Sequence, residues 1–460
     1  MTAAVFTEHF RKNLQLAYPV MLSHFGQMMV GVADSVMVGR LGAAPLAAAS
    51  LANSVFVIFL VFGIGMSFAI TPLTAQADGA GQRDRIPGIL RHGVALNTAA
   101  GILLFALMYF NRNLIGHMKQ PSDVVVMALP YFAVIAASIL PFMVFQSFRQ
   151  WAEGLGYTRQ SMAITVAANL LNILLNYILI FGKLGFAPMG LYGAGIATLI
   201  SRVVMAIFMI AFVLADKRFM IYRPVLKMTQ LDYSLLRKLL FLGFPMALQL
   251  IFEVTSFSLA AIMIGWLGTT QLAAHQIAIN LASITYMAAL GISTAATIRV
   301  GNHLGKKDYV NMRDLVHTAF IMAILFMGIM GLLFIFGRNY LPLLYIDDES
   351  VRRVASSLLI IAGLFQLSDG VQVVGLGALR GMSDVRIPTL ITLIAYWLVG
   401  LPLGYVLGFV SGMGAQGVWI GLLAGLTMAA ILLYRRFGLS SRSLLPDGGE
   451  GPKTAAGPAS

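Results

Sequence analysis

The sequence contains no cysteine and few charged residues. Of its 460 residues, 11% are charged, and only 18 are acidic. The lack of thiols excludes disulfides, thiolate metal sites and cysteine nucleophiles, although it says nothing about the cellular compartment. A soluble globular protein carries about 25% charged residues. Since 59% of this chain is hydrophobic and its mean hydropathy is +0.84, most of it must face lipid, and a cytoplasmic enzyme is disfavoured.

Twelve apolar stretches are long enough to cross a bilayer, which requires about 20 residues in a helix. The start of the chain contains Glu8 and lacks a cleavable signal pattern, so the first stretch is expected to be a retained span. The predicted spans are 13–39, 46–77, 89–110, 125–147, 160–182, 189–215, 236–265, 271–301, 314–337, 351–377, 387–410 and 414–434.

These spans divide the chain into two lobes. The sequence predicts an N-terminus at 1–12, a six-helix lobe at 13–215, a linker at 216–235 and a second six-helix lobe at 236–436. The Gly-, Pro- and Ser-rich segment 437–460 is predicted to be a disordered tail.

The 31 basic residues are distributed unevenly across the predicted membrane. One side, with both termini, holds 22 of them, and the opposite side holds seven. Cytoplasmic loops of membrane proteins are rich in Lys and Arg, so both termini are predicted to be cytoplasmic. The basic excess is thereby explained by topology, and nucleic-acid binding is not expected.

The two halves of the sequence resemble each other at an offset of 226 residues. Glycine and proline recur at this offset in several helices, which is hard to obtain by chance. The matches are Leu16–Pro19 with Leu242–Pro245, Val38–Gly42 with Ile264–Gly268, Leu46–Ala48 with Leu272–Ala274, Gly65 with Gly291, Gly79 with Gly305 and, at 227, Gly154 and Arg159 with Gly381 and Arg386. Six spans per half give parallel repeats, which enclose a cavity and rock to alternate access. The repeat therefore favours a transporter.

Three acidic residues, Asp34, Glu253 and Asp369, lie deep within predicted spans. A charged carboxylate at the bilayer centre costs at least about 2.5 kcal/mol and usually serves a function. A structural pair, such as Asp34 with Arg202, is the alternative. Apart from basic residues at the span ends, which are counted with the loops, only Arg202 and Arg299 lie within predicted spans, so pairing cannot neutralise all three acids. At least one acid is expected to be protonated or to bind a cation.

The charge is placed differently in the two halves. The repeat equivalent of Glu253 is Gln27, and that of Asp34 is Ala260. Each lobe is therefore expected to have its own site on a shared scaffold. A carboxylate cluster in a cavity of low dielectric constant suits sodium, protons or organic cations, and it suits an anionic substrate poorly.

The fifth predicted span adds a polar face. Asn172 and Asn176 are four residues apart and share one side of a helix. Their amide oxygens are suited to sodium, and hydrogen bonding to a neighbouring helix is the alternative. Thr198 in the sixth span is a weaker candidate, because a helical threonine usually bonds to its own backbone.

Together these segments resemble the multidrug and toxic compound extrusion (MATE) transporters, in the NorM-like bacterial branch, over roughly residues 10–436. The resemblance rests on Val32–Gly39, Asn172–Tyr177, Pro245–Glu253, Gly363–Gly370 and Ala378–Gly381. It implies an all-helical membrane protein with twelve transmembrane helices in two pseudo-symmetric lobes, located in the bacterial inner membrane.

The resemblance also implies a function and site residues. Such transporters export cationic, lipophilic drugs and dyes in exchange for sodium or protons. Asp34 corresponds to the N-lobe carboxylate, with Asn172, Asn176 and Thr198 beside it, and Glu253 and Asp369 correspond to a C-lobe pair associated with sodium. A sodium ion is thus expected at Glu253 and Asp369, or at Asp34 and the two asparagines. Related transporters commonly have Asp at the position of Asn176, so the ion preference of the N-lobe site is open.

Two other functions compete with antiport. A flippase for a lipid-linked precursor would share the two-lobe architecture, but an anionic head group requires a basic cavity. A membrane-embedded enzyme is disfavoured because the spans contain no hydrolase or metalloprotease motif. No cofactor is expected beyond the coupling ion, and a cavity enclosed by one chain is expected to function as a monomer.

Overall fold

A computed structural model of the chain describes residues 2–118, 120–222 and 232–445. Within these ranges it contains twelve long helices, and eleven of them are long and apolar enough to cross a membrane. The first, α1, has 37 residues, but polar side chains lower its hydropathy. The helices are α1 (Ala3–Gly39), α2 (Ala43–Gly79), α3 (Arg85–Phe110), α4 (Ser122–Gly154), α5 (Thr158–Phe181), α6 (Gly190–Ala215), α7 (Tyr233–Trp266), α8 (Thr269–Gly305), α9 (Tyr309–Gly337), α10 (Glu349–Gly381), α11 (Arg386–Val410) and α12 (Ala415–Arg442).

The predicted all-helical, two-lobe architecture is confirmed. Helices α1–α6 form the N-lobe and α7–α12 the C-lobe, and each lobe has a hydrophobic core of its own. Large apolar side chains cover the outside, where Leu103, Phe208 and Phe336 are more than half exposed. Such an apolar surface suits contact with lipid rather than water.

Several helices extend beyond the predicted spans. Helix α1 begins at Ala3 within the predicted N-terminus, and α12 continues to Arg442, so the first residues of the predicted tail are helical. The predicted linker contains a short helix, Lys217–Met220. The rest of the linker at 223–231 and the tail from 446 onward lie outside the described residues.

The duplication is visible in the backbone and in hydrogen bonds. Gly42 and Gly268, which match at an offset of 226, have φ angles of +120° and +114° at the starts of α2 and α8. The hydroxyl of Thr71 donates to the backbone oxygen of Gln150 at 3.0 Å. Its equivalent, Thr297, donates to the backbone oxygen of Gly377 at 2.8 Å. The two lobes therefore repeat tertiary contacts as well as helix order.

The lobes touch at one face of the molecule, where α1 begins and α12 ends. We call it the terminal face and the opposite one the loop face. Among the described residues, every hydrogen bond between the lobes lies near the terminal face. The Asn302 amide, for example, donates to Asp78 at 2.9 Å, and the Gln76 amide donates to the backbone oxygen of Gly381 at 2.8 Å.

Glycines allow the backbones of the two lobes to approach at this face. A methyl group added to Gly79 would lie 2.7 Å from the carbonyl carbon of Asn302. One added to the equivalent Gly305 would lie 3.0 Å from the carbonyl carbon of Gln76, which is the equivalent of Asn302. The same pair of contacts is thus made twice about the pseudo-symmetry axis. Because the lobes are joined at the terminal face, the space between them opens toward the loop face.

Candidate functional site

In the N-lobe, α1 and α5 bring three predicted site residues together. The Asn176 amide nitrogen donates to the Asp34 carboxylate and, at 3.0 Å, to the side-chain oxygen of Asn172. Asn176 is fully buried, and its own side-chain oxygen has no hydrogen-bond partner. The predicted shared face of the two asparagines is therefore present, and the side-chain oxygen of Asn176 remains available as an acceptor.

Thr198 and Arg202 on α6 line the same N-lobe cavity of about 250 Å³ as Asp34 and Asn172. The Thr198 hydroxyl donates to the backbone oxygen of Ala194 at 3.1 Å, which is the bond that helical threonines usually form. Arg202 donates to the hydroxyl of Ser138 at 2.8 Å, where α4 is interrupted.

The structural pair considered for Asp34 is not formed. Among the described residues, Asp34 has no ion-pair partner, and the guanidinium of Arg202 faces the rings of Phe56 and Phe142 at 5.1 and 5.0 Å. Arg202 nevertheless interacts electrostatically with Asp34 across the cavity. The carboxylate therefore has one amide donor and a distant positive charge, which leaves it able to bind a cation.

In the C-lobe, Glu253 on α7 and Asp369 on α10 are 6% and 4% exposed. The hydroxyl of Tyr286 on α8 donates to Glu253 at 3.3 Å. The two carboxylates interact electrostatically with each other, and neither has an ion-pair partner in the described part of the chain. Arg380 also interacts electrostatically with Glu253, so one positive charge faces two buried acids. This arrangement favours a bound cation or a proton on one of the acids.

A central cavity of about 490 Å³ lies between the lobes, and three charged side chains that sequence reasoning placed in loops line it. Arg149 and Glu153 form a buried ion pair of 2.7 Å, one helical turn apart on α4. Arg380 on α10 donates to Gln249 at 3.3 Å, and its guanidinium lies 5.0 Å from the ring centre of Phe68 in the other lobe. These residues therefore lie on α4 and α10, which extend beyond the predicted spans to Gly154 and Gly381.

Sequence patterns indicated the roles of Arg149, Glu153 and Tyr286 only weakly. The spacing of Arg149 and Glu153 is that of a helical ion pair, which would have indicated that α4 continues past residue 147. Tyr286 is one of 15 tyrosines, and nothing local to it indicated a contact with Glu253.

The donor sets favour small monovalent cations over a tightly held metal. Within the described ranges, no group of three or more His, Cys, Asp or Glu side chains is arranged to hold a metal ion. The N-lobe offers one carboxylate with amide oxygens, and the C-lobe offers two carboxylates with a phenol. Either set could bind a proton, a sodium ion or an organic cation, which are cargo rather than resident cofactors.

Comparison with known proteins places the chain in a family. The MatE family model matches it twice, over residues 19–178 and 245–406. The multidrug resistance protein NorM of Photobacterium profundum is 37% identical over 93% of this chain and 94% of the relative. The multidrug resistance protein MdtK of Photorhabdus laumondii is 35% identical over 94% of this chain and 95% of the relative.

Solved structures show the same fold. A multidrug resistance MATE family transporter in an outward-facing conformation superposes with a TM-score of 0.87 at 22% identity, over 95% of this chain and 96% of that one. A eukaryotic MATE transporter gives 0.85 at 21% identity, over 96% of this chain and 99% of that one. Because both sequence and fold agree over nearly the whole chain, the protein belongs to the MATE family of transporters, in its NorM-like branch.

Proposed function

We propose that this protein exports cationic, lipophilic small molecules in exchange for sodium or protons. The names of its relatives, multidrug resistance proteins from bacteria, support drugs as the cargo and the bacterial inner membrane as the location. The observation that carries the proposal is the C-lobe pair, Glu253 and Asp369, two buried acids that interact electrostatically and have no ion-pair partner among the described residues. Asp34 offers a second site in the N-lobe.

The terminal face is proposed to be cytoplasmic, because 22 of the 31 basic residues belong to that side of the sequence. The cavity then opens to the outside when the lobes touch as they do here. Sodium or protons would enter from outside, bind the carboxylates and displace the drug. Rocking of the lobes would then release the ion to the cytoplasm and admit another drug molecule. One chain supplies both lobes, so we propose that the monomer is functional.

Coupling requires only that ion and drug act oppositely on one conformational equilibrium. A membrane potential contributes about 2.3 kcal/mol per elementary charge per 100 mV. Exchange of one monovalent ion for one monocationic drug moves no net charge, so the potential drives export only when more than one ion enters per drug. Each additional charge that enters could sustain a drug gradient of about 50-fold.

A flippase for a lipid-linked precursor is the second candidate function. One structural observation, which the sequence did not predict, favours it. Arg149 and Arg380 both line the central cavity. Arg149 is paired with Glu153, however, so among the described lining residues only Arg380 is left to attract an anionic head group, and Arg380 interacts electrostatically with Glu253. The acids in both lobes still favour cationic cargo.

Dye uptake into everted membrane vesicles tests the proposal. We expect a cationic dye to accumulate when sodium, or protons, are more concentrated inside than outside. Asp34→Asn, Glu253→Gln and Asp369→Asn should each reduce uptake strongly, because each removes a buried carboxylate. Asp347→Asn is the matched control, because Asp347 is an exposed acid in a loop on the loop face. This variant should transport dye like the wild-type protein.

Two results would contradict the proposal. If neither gradient moved dye with the wild-type protein, antiport would lose its main support. If the three substitutions transported dye like wild type, the assignment of the carboxylates would be wrong. Movement of a lipid-linked anion without any gradient would favour the flippase.

A further inference from the structure

A second large cavity, of about 580 Å³, lies between the lobes at the terminal face. The end of α2 and the start of α3 line it from the N-lobe, and the start of α7 and the end of α8 line it from the C-lobe. It is separate from the central cavity, with which it shares no lining residue. We call it the terminal pocket. Its size is in the range of ligand-binding pockets.

The terminal pocket is positively charged. Arg85, Arg91 and Lys238 line it, and among its described lining residues Asp232 is the only acid. Asp232 is already engaged, because its carboxylate accepts hydrogen bonds from the backbone and the hydroxyl of Ser234. In the described part of the chain, neither Arg85 nor Lys238 has an ion-pair partner. The two lobes therefore contribute cations to one shared space.

The backbone at the pocket adds to its positive potential. Helix α3 begins at Arg85, and the preceding residue, Asp84, makes no side-chain cap. The N–H of Arg85 donates to the backbone oxygen of Gln82 at 3.0 Å, and Pro87 has no N–H, so Ile86 and Gly88 carry the remaining amides of the first turn. The dipole of this 26-residue helix favours an anion there. His92 ties the two lobes together at the pocket, because its Nε2 accepts the backbone N–H of Asp232 at 2.6 Å.

The duplication provides an internal comparison, since the equivalent position on the other side of the axis is filled. There, where the terminal pocket has Leu73, the C-lobe has Arg299. Arg299 donates to the backbone oxygen of His9 at 3.0 Å and to Asn13 at 2.6 Å, which closes the space between α1 and α8. Acids also replace neutral residues: the equivalents of Gln82, Gly88 and Ser234 are Asp308, Asp314 and Glu8.

The general tendency of cytoplasmic ends to be basic applies to both positions equally. It does not explain why, among the described residues, acids balance the bases at one position while bases predominate in the open pocket at the other. That difference indicates a ligand for the open one.

We propose that the terminal pocket binds a phosphate group, held between Arg85 of the N-lobe and Lys238 of the C-lobe. Arginine, lysine and a helix N-terminus are the usual ligands of phosphate in proteins. The phosphate could belong to an anionic phospholipid of the inner leaflet, since basic pockets between transmembrane helices bind such head groups, or to a free phosphate ion.

A ligand that bridges the lobes binds only while the terminal face is closed. It would therefore stabilise the conformation that opens toward the loop face. This consequence rests on the proposed alternating access, whereas binding itself does not. Binding is measured without any gradient or transported substrate, so its failure is distinguishable from a failure of the transport proposal.

Thermal unfolding of the purified full-length protein tests the binding. The unfolding midpoint is followed by tryptophan fluorescence during titration with short-chain phosphatidylglycerol. Phosphatidylcholine of the same chain length is the lipid control, and inorganic phosphate is compared with chloride at equal ionic strength. We expect phosphatidylglycerol to raise the midpoint of the wild-type protein and phosphatidylcholine to raise it less.

The variants have a matched control within the chain. Lys238→Gln should weaken the apparent affinity about fivefold and Arg85→Gln/Lys238→Gln about 30-fold, because each cation near a membrane surface contributes on this scale. Lys12→Gln, at the equivalent position in the filled site, should bind as wild type. Lys238→Arg keeps the charge and should retain binding, which separates loss of the ligand from loss of folding.

The outcomes decide both the site and the source of the phosphate. If inorganic phosphate alone reproduces the stabilisation and Lys238→Gln removes it, the pocket is a site for the free ion. If only phosphatidylglycerol stabilises, the source is lipid. If Lys238→Gln and Lys12→Gln respond alike, or if both lipids stabilise every variant equally, the proposal is wrong.

Discussion

Replacing Gly79 by alanine is expected to shift the protein away from the conformation in which the lobes touch at the terminal face. The added methyl group would lie 2.7 Å from the carbonyl carbon of Asn302, and closer still to its oxygen. Carbon atoms in contact prefer about 3.5–4.0 Å. The carbonyl carbon and oxygen of Asn302 are backbone atoms of a long helix, so no side chain can move aside to relieve the contact. The lobes themselves must therefore separate.

The size of the expected conformational shift follows from the free-energy cost of overpacking, about 1–3 kcal/mol at a well-packed contact. If the strain disappears when the lobes part, the ratio of the two conformations changes by about 5- to 150-fold. Gly305→Ala should have a similar effect, because it places a methyl group 2.7 Å from the backbone nitrogen of Ala80. Gly438→Ala is the control, since nothing lies within 4 Å of its added methyl group.

Spin labels on the loop face measure this shift. The absence of native cysteine allows Ala187→Cys and Asp347→Cys, in exposed loops of the two lobes, to be labelled without background. Gly79→Ala and Gly305→Ala should increase the population with the shorter distance between labels, and Gly438→Ala should not. An unchanged distance distribution in a folded Gly79→Ala protein would show that this contact does not control the position of the lobes.

Three further substitutions test individual contacts. Arg149→Gln should lower the stability by about 3–5 kcal/mol, because it leaves Glu153 buried without its partner. Arg149→Gln/Glu153→Gln should recover most of the lost stability, and thermal unfolding measures the stability of both variants. Asn176→Asp adds a second carboxylate beside Asp34, so sodium or a cationic dye should bind the N-lobe more tightly in a titration, and weaker binding would contradict the assigned cation site. His92→Phe should cost about 1–3 kcal/mol, since it removes the acceptor for the first turn of α7, and His92→Gln, which can still accept, should cost less in the same unfolding assay.

The sequence predicted the helices and the repeat well because both depend on local patterns. Apolar runs of membrane-spanning length indicate helices directly, and the fixed spacing of Gly65 with Gly291 and of Gly79 with Gly305 indicated the duplication. The shared face of Asn172 and Asn176 followed from helical periodicity in the same way. Each of these inferences requires only residues that are near in sequence or related by a constant offset.

The ends of helices and the long-range partners were less predictable. An apolar run ends at the first charge, but a helix does not have to, and the pairing of Arg149 with Glu153 allows α4 to continue while buried. Whether Asp34 meets Arg202 or Asn176 depends on how α1, α5 and α6 pack, which no local pattern encodes. The structure gives Asp34 the amide and turns Arg202 toward Ser138.

The positions at which the lobes touch and the charged positions have diverged to different degrees between the two repeats. The motion of the lobes and the binding of ions and drugs therefore depend on different residues. The positions that bring the lobes together are equivalent in both halves: Gly79 approaches Asn302 as Gly305 approaches Gln76. The charged positions are not equivalent, since Glu153 corresponds to Arg380 and Glu253 corresponds to Gln27. A rocking motion about a pseudo-symmetry axis requires matched contacts on both sides, whereas ion and drug are best separated by unlike sites. Substitutions at the glycines should therefore alter the position of the lobes for every cargo, and substitutions at the acids should alter which cargo and which ion are accepted.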